Sequence, residues 1–213
     1  MEAGRLQTKT LIVCLGTVII AEAAARVGSG LFHPMILSGL VRLVETTLMV
    51  TTVLLLEKGL APIGLTGEGI LRGLRAGCIW SAGFGVITLI GFSLMAWAGM
   101  NPLALIYTPL PTGPFDRILF FLVAGLVGPV AEEVFFRGLL YGFFRHWGAP
   151  AAVLLSTLLF ILAHPAPSGV PITRIVGGLV FALAYEVEKD LLAPIIIHAS
   201  ANTAIFTLSL IQG

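Results

Sequence analysis

The sequence predicts an all-α, polytopic membrane bundle of about seven transmembrane helices, and three observations carry that prediction. Hydrophobic residues make up 57% of the 213-residue chain and charged residues only 11%. Mean hydropathy is +1.02. Soluble domains run near half apolar and about a quarter charged, so both departures point to lipid as the solvent for the outward helix faces. The third observation is segmentation: apolar runs of membrane length alternate with breaks rich in Gly, Pro and charge. A net charge of +1 provides no basic field, so nucleic acid is not an expected partner. Cys14 and Cys78 each lie in an apolar run, form no CxxC pair, and read as packing residues.

A hydrocarbon core ~30 Å thick takes ~20 helical residues. By that ruler spans fall at about 10–28, 31–56, 70–99, 115–146, 149–164, 171–187 and 191–211. The first follows a mildly basic segment with Arg5 and Lys9; because further spans follow, it reads as retained and not as a cleaved signal. In the second, Arg42 and Glu45 stand three apart and pair on one face. They read as an internal ion pair orienting the helix, with substrate contact as the alternative. Glu57-Lys58-Gly59 closes that span. The third opens with Glu68, Arg72 and Arg75 on one stripe, as an interfacial helix does before it enters the bilayer. A stretch with Pro102, Pro109, Pro111 and Pro114 introduces the fourth, Pro165-Ala166-Pro167-Ser168-Gly169 follows the fifth, and Glu186-Val187-Glu188-Lys189-Asp190 separates the last two. Glu186 and Glu188 read as solvated, and His33 and His146 as interfacial. One multi-pass domain over 1–213 is expected, in the cell or inner membrane if the host is a prokaryote. With the N-terminus inside, cytoplasmic segments hold Arg5, Lys9, Lys58, Arg72, Arg75, Arg145 and Lys189, and the far side holds Arg26, Arg117 and Arg174; this bias predicts N-in and C-out.

The fourth span places Glu132, Glu133 and Arg137 at apolar depth. Each charge at a helix centre costs ~3 kcal/mol on insertion scales, so all three need partners inside the protein. Glu133 and Arg137 stand four apart and stack on one face, with the acid on the favourable N-terminal side. Glu132 points about 100° away and must take up a proton or find a partner on another helix, as a general base does. Pro129, one turn earlier, removes an N–H and is expected to kink the helix, with Gly128 loosening the same turn. His164 ends the fifth span, and His198 and Asn202 share a face of the seventh. Each polar residue alone reads more readily as a hydrogen-bonded packing group. Four such elements on three helices, each costly in lipid, favour one shared site.

The motifs Glu132-Glu133 with Arg137 (E-E-x3-R), Phe160 to His164 (F-x3-H) and His198 to Asn202 (H-x3-N) stand in the order seen in the CPBP family, the CAAX-type and bacteriocin-processing (Abi) proteases, which the chain resembles over about 67–211. The resemblance implies an intramembrane glutamic-type endopeptidase acting on a membrane-associated or C-terminally tagged protein or peptide. In that reading Glu132 and His164 activate water, His198 and Asn202 stabilise the oxyanion, and Glu133 with Arg137 braces the site. No cofactor is expected; the alternative is zinc held by Glu132, His164 and His198, although HExxH is absent. Ser200 lies about 160° off the face of His198 and Asn202, and no Ser or Cys nucleophile stands in a convincing frame. Two other readings remain: a transporter with a proton path, for which no inverted repeat is visible, and a non-proteolytic immunity or scaffold protein.

Overall fold

The computed structural model describes residues 6–66, 69–164 and 171–212, and every regular element among them is helical. Arg5, Gly67, Glu68 and the Pro165–Gly169 break lie outside the described residues. Seven principal helices follow in order: α1 Thr8–Gly28, α2 Pro34–Leu56, α3 Ile70–Trp97, α4 Pro114–Trp147, α5 Ala149–Ala163, α6 Ile172–Glu188 and α7 Leu192–Gln212. Pro34, Pro114 and Pro150 sit in the first turns of α2, α4 and α5, where the missing N–H costs nothing.

The helix positions and their number agree with the expected spans. Among the described residues, five helices (α1, α2, α3, α4 and α7) are long and apolar enough to cross a membrane. The 15 residues of α5 and 17 of α6 reach only ~22 and ~25 Å at ~1.5 Å per residue, short of the ~30 Å core. The outward faces want lipid. On α3, Val86, Ile87, Leu89, Ile90 and Leu94 are all exposed.

The core lies where α4 meets its neighbours, with Val134, Phe136, Leu139 and Tyr141 of α4 packed among Met49 and Val53 of α2, Phe160 of α5 and Tyr185 of α6. Two glycines permit the closest approaches at the edge of this core. A Cβ on Gly73 would stand 2.6 Å from Asp190 Oδ1. Gly64, at φ +72°, donates no bulk where Tyr185 and the Leu191 backbone crowd it, and its carbonyl accepts from the Leu191 N–H at 3.0 Å. Asp190 caps the start of α7 by accepting from the Leu192 N–H at 2.9 Å. Burial pushes its carboxyl above the usual range, against the pull of that N–H.

Glu186 and Glu188 are not simply solvated. Glu186 bonds Tyr141, Arg145 (2.9 Å) and Lys189 (2.6 Å), and Glu188 accepts from Trp80 Nε1 at 2.9 Å. Together they tie the end of α6 to α4 and α3. His33 meets Asp116 at 2.9 Å, which links the start of α2 to the start of α4, while His146 is exposed at the far end of α4.

Candidate active site

The local backbone of α4 explains how its acids are presented. Around Pro129 the helix widens to π geometry over Val123–Val127, returns to α over Gly128–Glu133, and widens again over Val134–Tyr141. In the first π segment the Gly128 N–H bonds the carbonyl of Val123, five residues back. In that register the Ala124 carbonyl would next pair with residue 129, which is proline and has no N–H. The Asn202 amide of α7 donates to this carbonyl instead, at 2.9 Å. Asn202 thereby pins α7 to α4, one turn beyond His198. Its amide carries two hydrogens, and this bond uses one.

Glu133 and Arg137 form the expected pair at 3.0 Å, and both side chains are 0% exposed. Arg137 also donates to the Gly178 carbonyl at 3.1 Å, and the rings of Phe136, Phe160 and Phe181 surround its guanidinium. Thr157 donates to the same carbonyl at 3.2 Å. A Cβ on Gly178 would stand 3.0 Å from Thr157 and 3.3 Å from Phe160, so glycine lets α6 close on α5 here. This charged pair is a fixed part of the core, and His198 is built upon it. Its Nδ1 stands 2.7 Å from Glu133 Oε1, and Phe181 stacks on its ring at 4.6 Å.

Glu132 faces the other way, at 24% side-chain exposure. Its Oε1 stands 3.4 Å from His164 Nε2 and its Oε2 stands 3.8 Å from His198 Nε2. Three separate helices therefore bring their motif residues to one carboxylate. The second nitrogen of each histidine sets its chemistry. His164 Nδ1 lies 2.8 Å from the Phe160 carbonyl, which can only accept, so Nδ1 carries a hydrogen and Nε2 is the atom turned toward Glu132. Arg174 donates to the His164 carbonyl at 2.6 Å and fixes the end of α5. Ser200 is exposed, away from this point.

Glu132 and His164 also line a cavity of about 230 Å³ that reaches to α1 and α2, where Glu22, Arg42 and Glu45 stand. The Arg42–Glu45 pair was legible as a pair at 2.5 Å, but its place in the wall of the same chamber was not. Glu22, which completes it by meeting Arg42 at 2.5 Å, was missed. Its signal was available: it is the sole acid of the first helix, at apolar depth between Lys9 and Arg26. Arg174, Thr157 and Gly178 act through backbone carbonyls, which leave no side-chain pattern to read.

Glu132, His164 and His198 are the donor set that would hold zinc, yet among the described residues no three His, Cys, Asp or Glu side chains form a group that could hold a metal ion. A carboxylate beside a histidine, a second histidine braced by a buried ion pair, and an adjoining cavity are together suited to activating water against a carbonyl.

Residues 114–204, which contain all three motifs, match the family described as type II CAAX prenyl endopeptidase Rce1-like. The chain is 29% identical over 161 residues to an uncharacterized 24.3 kDa protein of Escherichia coli, covering 70% of each chain. It is 31% identical over 101 residues to the membrane-embedded CAAX protease MroQ of Staphylococcus aureus, covering 44% of this chain and 40% of that protein. No solved structure matches.

Proposed function

With residues 114–204 matching the Rce1-like type II CAAX prenyl endopeptidases, we propose that this multi-pass membrane protein is an intramembrane endopeptidase that uses Glu132 and His164 to activate water. The observation that carries the proposal is the single carboxylate of Glu132 facing two imidazoles from two other helices. A water seated against Glu132 and His164 Nε2 donates a hydrogen to each. On attack at the scissile carbonyl, the water proton passes to this pair, and the carbonyl oxygen becomes an oxyanion. His198 in its imidazolium form donates from Nε2 to that oxyanion, with Glu133 as the counter-charge at Nδ1. Asn202 supplies its second amide hydrogen. The proton held by the Glu132–His164 pair then goes to the leaving amine, and the peptide bond breaks. Donors of this kind each contribute ~3 kcal/mol to the transition state. The substrate is a protein or peptide with a membrane-proximal or C-terminal processing site.

A zinc-dependent version of the same hydrolysis has one observation in its favour: both imidazoles turn Nε2 to one carboxylate. The test of both is turnover of tagged peptides by the full chain in detergent. Wild type is expected to cleave, and Glu132→Ala and His198→Ala each to lose ~10²–10⁴-fold. Turnover unchanged by both substitutions rejects the assignment. Chelation is expected to leave wild-type turnover intact; a loss that added zinc restores rejects the metal-free mechanism.

A further inference from the structure

The chamber beside Glu132 holds a second polar cluster that hydrolysis does not use. Arg42 of α2 bridges two acids, meeting Glu45 through Nη1 and Glu22 of α1 through Nη2, each at 2.5 Å. Glu45 is 1% exposed, lines the cavity, and its Oε1 has no hydrogen-bond partner among the described residues. A buried acceptor left unmade costs ~1–3 kcal/mol, more when charged, so this oxygen awaits a donor.

The charge of the wall says which donor. Three carboxylates, Glu22, Glu45 and Glu132, share the cavity with one guanidinium. The excess is negative whether or not His164 carries a charge, and the walls of Val18, Met49 and Phe135 keep the local dielectric low. An anionic occupant is disfavoured because it would meet three carboxylates and an Arg42 whose charge already faces two of them. A cavity of about 230 Å³ is smaller than the ~300–1,000 Å³ of sites for whole small ligands, and it suits one side chain with an apolar stem and a cationic tip.

We infer that this chamber is a specificity subsite for a lysine or arginine side chain of the substrate, held by Glu45 and Glu22, with Arg42 positioning both acids. The inference rests on the endopeptidase reading for the identity of the occupant as a peptide. Since the subsite and Glu132 share one chamber, the basic residue lies within a few positions of the bond that is cut.

The test uses full-length Glu132→Ala protein in detergent, so that binding is read without cleavage. The probe is a fluorescent apolar peptide in which one lysine is walked along a norleucine background, with affinity followed by anisotropy. At one position lysine is expected to tighten binding about tenfold over norleucine, and Glu22→Gln and Glu45→Gln each to cut that gain to about twofold or less. Glu22 is 39% exposed on its side chain, so its replacement keeps the test valid if Glu45→Gln fails to fold. A gain at no position, a gain that survives Glu22→Gln, or tighter binding of aspartate peptides overturns the subsite. Restoring Glu132 separates the two claims: lysine-dependent binding without hydrolysis refutes the peptidase reading and leaves the subsite standing, and hydrolysis without lysine preference does the reverse.

Discussion

Asn202 and Glu133 illustrate how much one side chain does by holding another. Asn202 makes good a carbonyl that Pro129 leaves without a backbone partner, and it stands one turn from His198 on α7. Asn202→Ala removes this donor and orphans the Ala124 carbonyl, at a cost of ~1–3 kcal/mol in stability. Asn202→Asp is expected to fare no better, because a carboxylate cannot donate to a carbonyl. Thermal unfolding of the two variants in detergent checks this; an unchanged midpoint in both contradicts it. The residue types were legible in the sequence, since buried charge in lipid must be partnered. The partners were only half legible. Glu133 with Arg137 follows from helical spacing, but the choice of Glu133 for His198 Nδ1 and of Glu132 for Nε2 depends on the rotation of α7 against α4.

At the scale of the element, the informative case is α4. Proline in its centre predicted a kink, and the structure answers with two π segments and a side chain from another helix. A sequence gives the missing N–H but not how the freed carbonyl is satisfied. Pro129→Ala is expected to supply an N–H to Ala124 and to make the Asn202 amide redundant for stability. A double-mutant cycle is then expected to show Asn202→Ala costing at least ~1 kcal/mol less in the Pro129→Ala background than in wild type. Strict additivity contradicts it. On α3, Gly73→Ala drives a methyl into Asp190 and is expected to destabilise by ~1–3 kcal/mol, read by the same unfolding assay against Gly83→Ala, where nothing lies within 4 Å.

Across the whole molecule, five crossing-length helices and a shorter α5–α6 pair make up the seven described helices, as the unequal apolar runs predict. A helix of 15 residues ends about 22 Å from its start, so His164 comes to the depth of Glu132 on the antiparallel α4. Whether α5 and α6 both cross or both turn back, the parity of the remaining helices is unchanged, and the charge bias continues to predict N-in and C-out. Single cysteines introduced near Lys58 and Lys189 are expected to be shielded from a membrane-impermeant reagent in intact cells, and one near Arg117 labelled; the opposite pattern contradicts that orientation.

The central claim is that Glu132 moves the proton while Glu133 holds the frame. Measuring kcat of Glu132→Gln beside its unfolding midpoint tests it most directly, because glutamine keeps the shape of the side chain but cannot take the proton. The account predicts a fall of ~10²–10⁴-fold with the midpoint within a few degrees of wild type. A kcat within about twofold of wild type contradicts it.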